Sequence, residues 1–203
     1  MARELLKLLT HPELRPEIRA VLAEASGVIG VQSTEQWEKS GRCQMAQQVK
    51  AIPDGYQTVT PSFTFKDSQK AMEFYKKAFG AKVVDLFPNP NGRGIMHATI
   101  QIGTSILMMG DEMPGQCSSA ETLGGSPMSL YVYVPNVDAA FQQAVTAGGV
   151  VTMPVAEMFW GDRVGQIKDP FGYLWMIATH THDLTNEQIR KGAEAFFAQM
   201  AKR

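Results

Sequence analysis

From Thr58 onward the apolar positions alternate between two periods. Thr58 to Phe65 mixes β-branched and aromatic residues as a strand does, and Ala71, Met72, Phe74, Tyr75, Ala78 and Phe79 then recur at the spacing of one helix face that ends at Gly80. Lys82 to Phe87 returns to strand character, Pro88-Asn-Pro-Asn-Gly92 reads as a loop, and Ile95 to Met109 reads as a hairpin. The same order follows a second time. Ser129 to Val134 predicts a strand, and Val137, Ala140, Phe141, Ala144 and Val145 predict a helix face stopped by Gly148-Gly149. Val150 to Val155 predicts the next strand, and residues 163–180 predict a closing hairpin. Asp169-Pro-Phe-Gly172 is its turn: Pro170 presets φ, Asp169 bonds its own downstream backbone, and Gly172 accepts a positive φ where the chain reverses.

The two halves match at a shift of 69 residues. Pro61 to Asp67 falls on Leu130 to Asn136, Ala71-Met72 on Ala140-Phe141, Gly80 on Gly149 and Gly103 on Gly172, with no insertion between 60 and 108. A self-match at one fixed period marks a duplicated supersecondary unit. The predicted fold class is therefore α+β, two βαβββ modules (residues 58–112 and 127–180) whose sheets face each other around a cup. Asp111 to Pro127, rich in Gly, Ser and Pro, reads as a flexible link between them.

Flanking segments complete the domain plan. Leu5, Leu6, Leu8 and Leu9, then Ile18, Val21, Leu22 and Ala25, predict two short amphipathic helices in an N-terminal extension with its linker over residues 1–55. Thr185-Asn-Glu-Gln188 has capping-box spacing, and Ile189, Ala193, Phe196, Phe197 and Met200 give the stripe of a terminal helix over 185–203, so that 56–203 forms one paired-module domain.

Composition narrows the function classes. A chain of 203 residues buries roughly 70% of its unfolded surface on folding and needs no staples. Nineteen Lys and Arg against 20 Asp and Glu leave a net charge of -1, which gives no electrostatic footprint for nucleic acid or an anionic membrane. Cys43 and Cys117 have no CxxC spacing, which argues against structural zinc and a disulfide framework and for a reducing, cytoplasmic setting. Arg3, Glu4 and Lys7 interrupt the apolar run a secretory signal would need, and nothing is long enough to span a bilayer. No nucleophilic triad, phosphate-cradling loop or paired-carboxylate site stands out; Gly92-Arg-Gly94 lacks the further glycine and helix of a dinucleotide site.

Paired βαβββ modules with Phe65-Lys-Asp67, Phe74-Tyr75, Ala78-Phe-Gly80 and Asp169-Pro-Phe-Gly172 resemble the vicinal oxygen chelate superfamily, which includes glyoxalase I, bleomycin and fosfomycin resistance proteins and extradiol dioxygenases. Trp160-Gly-Asp-Arg163, Ile177-Ala-Thr-His180 and Asp183-Leu-Thr185 further resemble its PhnB-like branch. The resemblance covers residues 56–200. Metal-using members hold a divalent ion with His and Glu on the first and last strands of each module. Here it implies those slots at Thr60, Leu107, Ser129 and Met176, none of which suits iron, zinc or nickel. No metal and no cofactor is therefore expected. The resemblance also implies a homodimer, and the terminal helix at Phe196 and Phe197 is suited to add contact.

The candidate ligand-binding residues are His97, Tyr131, Trp160, Arg163, Trp175 and Met176. His97 shares strand parity with Thr99 and Gln101, and at a shift of 69 its counterpart is Gln166; it is either a hydrogen-bonded strand histidine or a residue that touches ligand. Asp162 and Arg163 either form an ion pair at a strand entry, or the guanidinium beside Trp160 holds a planar anion by bidentate bonds and stacking. Trp175, Tyr131 and Met176 supply core or an apolar cup wall. His180 and His182 read as corner residues that bond backbone. Two function classes follow: a metal-independent small-molecule-binding protein comparable to bleomycin-resistance proteins, or a metal-dependent lyase, isomerase or dioxygenase of glyoxalase type.

Overall fold

The computed structural model describes residues 49–201. The two helices predicted before residue 49 and the last two residues of the terminal helix lie outside them. From Ile52 onward the chain forms one compact unit. Its elements in order are β1 (Ser62–Phe65), α1 (Ser68–Phe79), β2 (Lys82–Pro88), β3 (Ile95–Ile102), β4 (Ser105–Asp111), α2 (Ala120–Leu123), β5 (Ser129–Tyr133), α3 (Val137–Thr146), β6 (Val150–Glu157), β7 (Asp162–Lys168), β8 (Leu174–His180) and α4 (Asn186–Met200).

The duplication is explicit in the topology. The sheets have the orders β1-β4-β3-β2 and β5-β8-β7-β6, each with its first strand parallel to its last and two antiparallel pairs beyond. Local chemistry sets both helix starts at the predicted 69-residue shift. The Asp67 side chain accepts the Lys70 N–H at 3.0 Å and the Asn136 side chain accepts that of Ala139 at 3.0 Å, satisfying N–H groups that a first helical turn leaves unpaired. Gly80 ends α1 at φ 65°, as the sequence predicts. The capping box of α4 forms between Thr185 and Gln188. The predicted link at 111–127 is less bare than its composition implies, because Glu112 accepts the Ser119 N–H at 2.9 Å and the Thr122 hydroxyl at 2.8 Å and so holds α2 in place.

The modules meet through their helix-covered inner faces, which differs from the expected pair of sheets around a shared cup. α1 and α3 touch, and one core unites Phe63, Phe65, Tyr75, Ile100, Trp175 and Ile177. The reason is aromatic packing: Trp175 of β8 lies 4.6 Å from Phe79 of α1, and Tyr173 meets Phe63 edge-on at 4.9 Å, centroid to centroid. Each such side chain stabilises the fold by about 1.5–3 kcal/mol through burial alone, which favours this arrangement over open aromatics. The Asp169 turn seals the join. Its carboxylate accepts the Phe171 and Tyr173 N–H groups, as predicted, and also the Tyr75 hydroxyl at 2.7 Å and the Trp175 indole at 3.0 Å.

The hairpin registers correct the gap-free repeat. Ile102 pairs with Ser105 across a two-residue turn, whereas Lys168 pairs with Leu174 across a longer one. Phe63 pairs with Met109 as Val132 pairs with Ile177, so β4 matches β8 at a shift of 68, one less than the helices. That single residue flips parity. Leu107 therefore faces the core, 4% exposed, and Gln166, which pairs with Met176, corresponds to Thr99, which pairs with Met108, and not to His97.

Candidate functional site

The outer face of the second sheet gathers a polar cluster by strand alternation alone. Tyr131 lies beside Met176 and Tyr133 beside Ala178 in the β5–β8 pair, while Asp162 lies opposite His180 and Gln166 opposite Met176 in the β7–β8 pair. The entry to β7 is pinned by Gly161, whose carbonyl accepts the Thr181 and His182 N–H groups at 2.9 and 3.0 Å. Gly161 has φ 96°, and a Cβ there would run into the His182 carbonyl, so only glycine lets Trp160 fold back over the strand.

Asp162 organises the cluster. Although only 3% exposed, its carboxylate accepts four side-chain hydrogen bonds, from Tyr133 (2.9 Å), Tyr131 (3.2 Å), Trp160 Nε1 (3.1 Å) and His180 Nδ1 (2.7 Å). Burial opposes its charge, but the hydrogen bonds from His180, Tyr133, Trp160 and Tyr131 together outweigh that and hold the carboxyl below its ordinary range. The Asp162 bond, followed by that of Asp183 to Nε2, raises the His180 pKa. Burial, with the Asp162 charge adding to it, pushes the Tyr131 phenol up to about 12, so it stays a donor at any physiological pH. With its four donors in place, Asp162 acts as scaffold. What the face offers a ligand is two tyrosine rings 5.0 Å apart, the indole, the Met176 thioether and the half-exposed His180 imidazole.

The structure brings together three of the six sequence-predicted residues, Tyr131, Trp160 and Met176. His97 lies on the outer face of the other sheet, half-buried, with Nε2 3.2 Å from the Thr99 hydroxyl and its ring 6.1 Å from that of Phe87. Trp175 is in the core. Arg163 does not pair with Asp162, because consecutive strand residues point to opposite faces; its fork is held by Asp138 at 2.8 and 3.0 Å and by Glu157 at 3.2 Å. Arg163→Ala is accordingly expected to lower the melting temperature and leave affinity for an outer-face ligand unchanged; lost affinity at unchanged melting temperature would contradict the placement.

Asp162, Tyr133 and His180 were missed as members of one site. His180 bonds a side chain rather than the backbone expected of a corner residue. A signal existed, since Asp162 lies six residues before Lys168 and His180 six after Leu174, so counting outward from the turn pairs them.

A divalent metal of the kind the resemblance raises does not fit these residues. Leu107 faces the core, and the outer-face positions beside it on β4 are Ile106 and Met108. On the second sheet the outer-face positions of the first and last strands are Ser129, Tyr131, Tyr133, Leu174, Met176, Ala178 and His180, which provide one imidazole and no carboxylate. Among the described residues no three His, Cys, Asp or Glu side chains are grouped as a metal would need.

A sequence model of the Glyoxalase/Bleomycin resistance protein/Dioxygenase superfamily matches residues 59–177. An uncharacterised Mycobacterium bovis protein is 32% identical over 136 residues, which is 65% of this chain and 89% of that protein. A putative glyoxylase of the same organism is 28% identical over 117 residues, 56% of this chain and 43% of that protein. The X-ray structure of an Arabidopsis thaliana gene product has a similar fold, with TM-score 0.50 and 26% identity over 61% of this chain and 98% of that one.

Proposed function

The chain belongs to the glyoxalase/bleomycin resistance protein/dioxygenase superfamily, and from that premise we propose that it binds a small aromatic, carboxylate-bearing molecule on the outer face of the second sheet without a metal chelate. The observation that carries this reading is the buried Asp162 carboxylate with its four side-chain donors, which fixes two phenols, an indole and an imidazole on one exposed face. Preorganised rings are stacking surfaces that lose little rotamer freedom on binding, and an anion that displaces the exposed Asp183 carboxylate from Nε2 takes a charge-assisted hydrogen bond from protonated His180. The Trp160-Gly-Asp-Arg163 and Ile177-Ala-Thr-His180 motifs, which supply Trp160, Asp162 and His180, favour the PhnB-like branch.

A homodimer belongs to the same proposal. Phe87 of β2 at 51% exposed and Val150 of β6 at 63% leave apolar surface on both sheets that a second copy would cover. No helix among the described residues is long and apolar enough to cross a membrane, and a cytoplasmic binding protein is the setting proposed. The test is a titration of metal-stripped protein with benzoate and larger aromatic carboxylates, with and without a chelator. Saturable binding unaffected by the chelator is expected. Binding that needs an added divalent ion would overturn the reading in favour of a metal-dependent lyase or isomerase.

A further inference from the structure

The two halves differ where each hairpin turn meets the other module. In the second module the turn projects Phe171 and Tyr173 against β1: Phe171 packs edge-on against Phe65 at 5.4 Å, Tyr173 packs on Phe63 and Phe65, and the Tyr173 hydroxyl donates to the Thr64 carbonyl at 2.9 Å. β1 is an edge strand whose Phe65 carbonyl is bonded toward β4 by the Glu112 N–H, so by alternation the Thr64 carbonyl points to the free edge, and the phenol satisfies it.

The second module has the same edge on β5, and among the described residues the first module's turn offers nothing equivalent to fill it. Val134 donates its N–H to Ala178 of β8, so the Tyr133 peptide group, 69 residues after Thr64, points to the free edge. At the shift of 68 that relates β4 to β8, Tyr173 becomes Ser105, and at the shift of 69 that relates β1 to β5 the opposing rings Phe63 and Phe65 become Val132 and Val134. Where one half holds an aromatic plug, the other holds a cavity of about 600 Å³ between the Gly103-Thr104-Ser105 turn, Val132, Val134 and the Trp175–Phe79 pair. A single benzene ring occupies an engineered apolar cavity of about 150 Å³, so this space holds a ring with substituents.

We propose that this intermodule cavity is a second ligand site, and that it takes a small phenol or other hydroxyaromatic molecule whose ring and hydroxyl occupy the place that Tyr173 occupies in the other half. The ring packs against Val132, Val134 and Trp175, and the hydroxyl donates to the free-edge carbonyl of Tyr133. Its lining shares Tyr131 and Tyr133 of β5 with the Asp162 face and is otherwise built from residues that face does not contain, among them Phe79, Ser105, Val132 and Trp175.

The probe is 4-methylphenol, compared with toluene, titrated into the full chain and followed by residue-resolved amide NMR. The phenol is expected to saturate with shifts at Thr104, Ser105, Val132 and Tyr133, and to bind about fivefold to tenfold more tightly than toluene, the gain from one hydrogen bond. Ser105→Tyr, which supplies the missing phenol from the chain itself, is expected to abolish binding. Ser105→Leu fills the space more gently and is expected to weaken it, should the tyrosine variant fold poorly. Arg190→Ala, which breaks only the exposed Arg190–Glu194 pair of α4, serves as control and leaves 4-methylphenol binding intact. Equal affinity for both probes, shifts confined to Tyr131, Trp160 and His180, failure of 4-methylphenol to bind, or unchanged binding in both Ser105 variants would each overturn the proposal.

Discussion

Asp169→Ala is expected to lower the free energy of unfolding by about 3–5 kcal/mol, because it leaves buried donors without their acceptor. The carboxylate, 3% exposed, receives the Tyr75 hydroxyl and the Trp175 indole on one oxygen and two backbone N–H groups on the other. Tyr75 and Trp175 are themselves 0% and 2% exposed, so no water can take the place of Asp169. Burial raises the Asp169 pKa against those hydrogen bonds, which means the charge is carried at a cost that only the full donor set offsets. Asp169→Asn keeps one acceptor oxygen and is expected to lose less. Urea unfolding of both variants checks this, and a loss below about 1 kcal/mol for the alanine variant would show that the turn does not lock the modules together.

The second large effect is expected at Asp162. Asp162→Asn removes the leading cause of the raised His180 pKa and leaves only Asp183, so the His180 pKa should fall toward its ordinary value of 6.5. The linkage has a definite sign. His180, raised in the folded state, contributes stability that is fully present below pH 6.5 and is lost as pH rises through its folded pKa. Asp162, lowered in the folded state, contributes stability that is present above pH 3.8 and is lost as pH falls through its folded pKa. The pair is therefore worth most between those two values, and the variant should lose this contribution within that window. Proton NMR of the histidine rings, with urea midpoints across pH, reads both quantities. Affinity for an outer-face ligand should fall at least about tenfold, since the two phenols and the indole lose the group that orients them. An unchanged His180 titration would mean that the 2.7 Å contact does not hold in solution.

Much of the fold was legible because it is written locally. Gly80 stops a helix, Thr185 and Gln188 form a capping box, and Asp169-Pro-Phe-Gly172 is a turn whose aspartate bonds its own backbone, all features set by residues within a few positions of each other. The period of the repeat was legible at the helices for the same reason. It failed in the hairpins because Gly103-Thr104 makes a tighter turn than Pro170-Phe171-Gly172, and strand parity turns a one-residue difference into a change of face. That moved Leu107 from a supposed ligand slot into the core.

The candidate site was legible in part. Tyr131, Trp160 and Met176 were found from residue type and strand position, but the group that unites them is a short acidic side chain next to an arginine. Adjacent opposite charges read as a pair, whereas a strand sends them apart, Asp162 to the outer face and Arg163 to Asp138 and Glu157. Recognising His180 required counting outward from the Lys168–Leu174 turn to pair β7 with β8, a step beyond any motif of adjacent residues.

The most direct test of the central claim uses the methionine methyl groups as reporters. Met176 lies on the outer face of the second sheet, Met108 on that of the first, and Met72, 1% exposed, is held in the core. Carbon-13 methyl NMR during titration of metal-stripped protein with an aromatic carboxylate should shift Met176 in step with the Trp160 indole and leave Met72 unmoved. A titration in which Met176 stays silent, or in which it moves only after a divalent ion is added, would contradict the account.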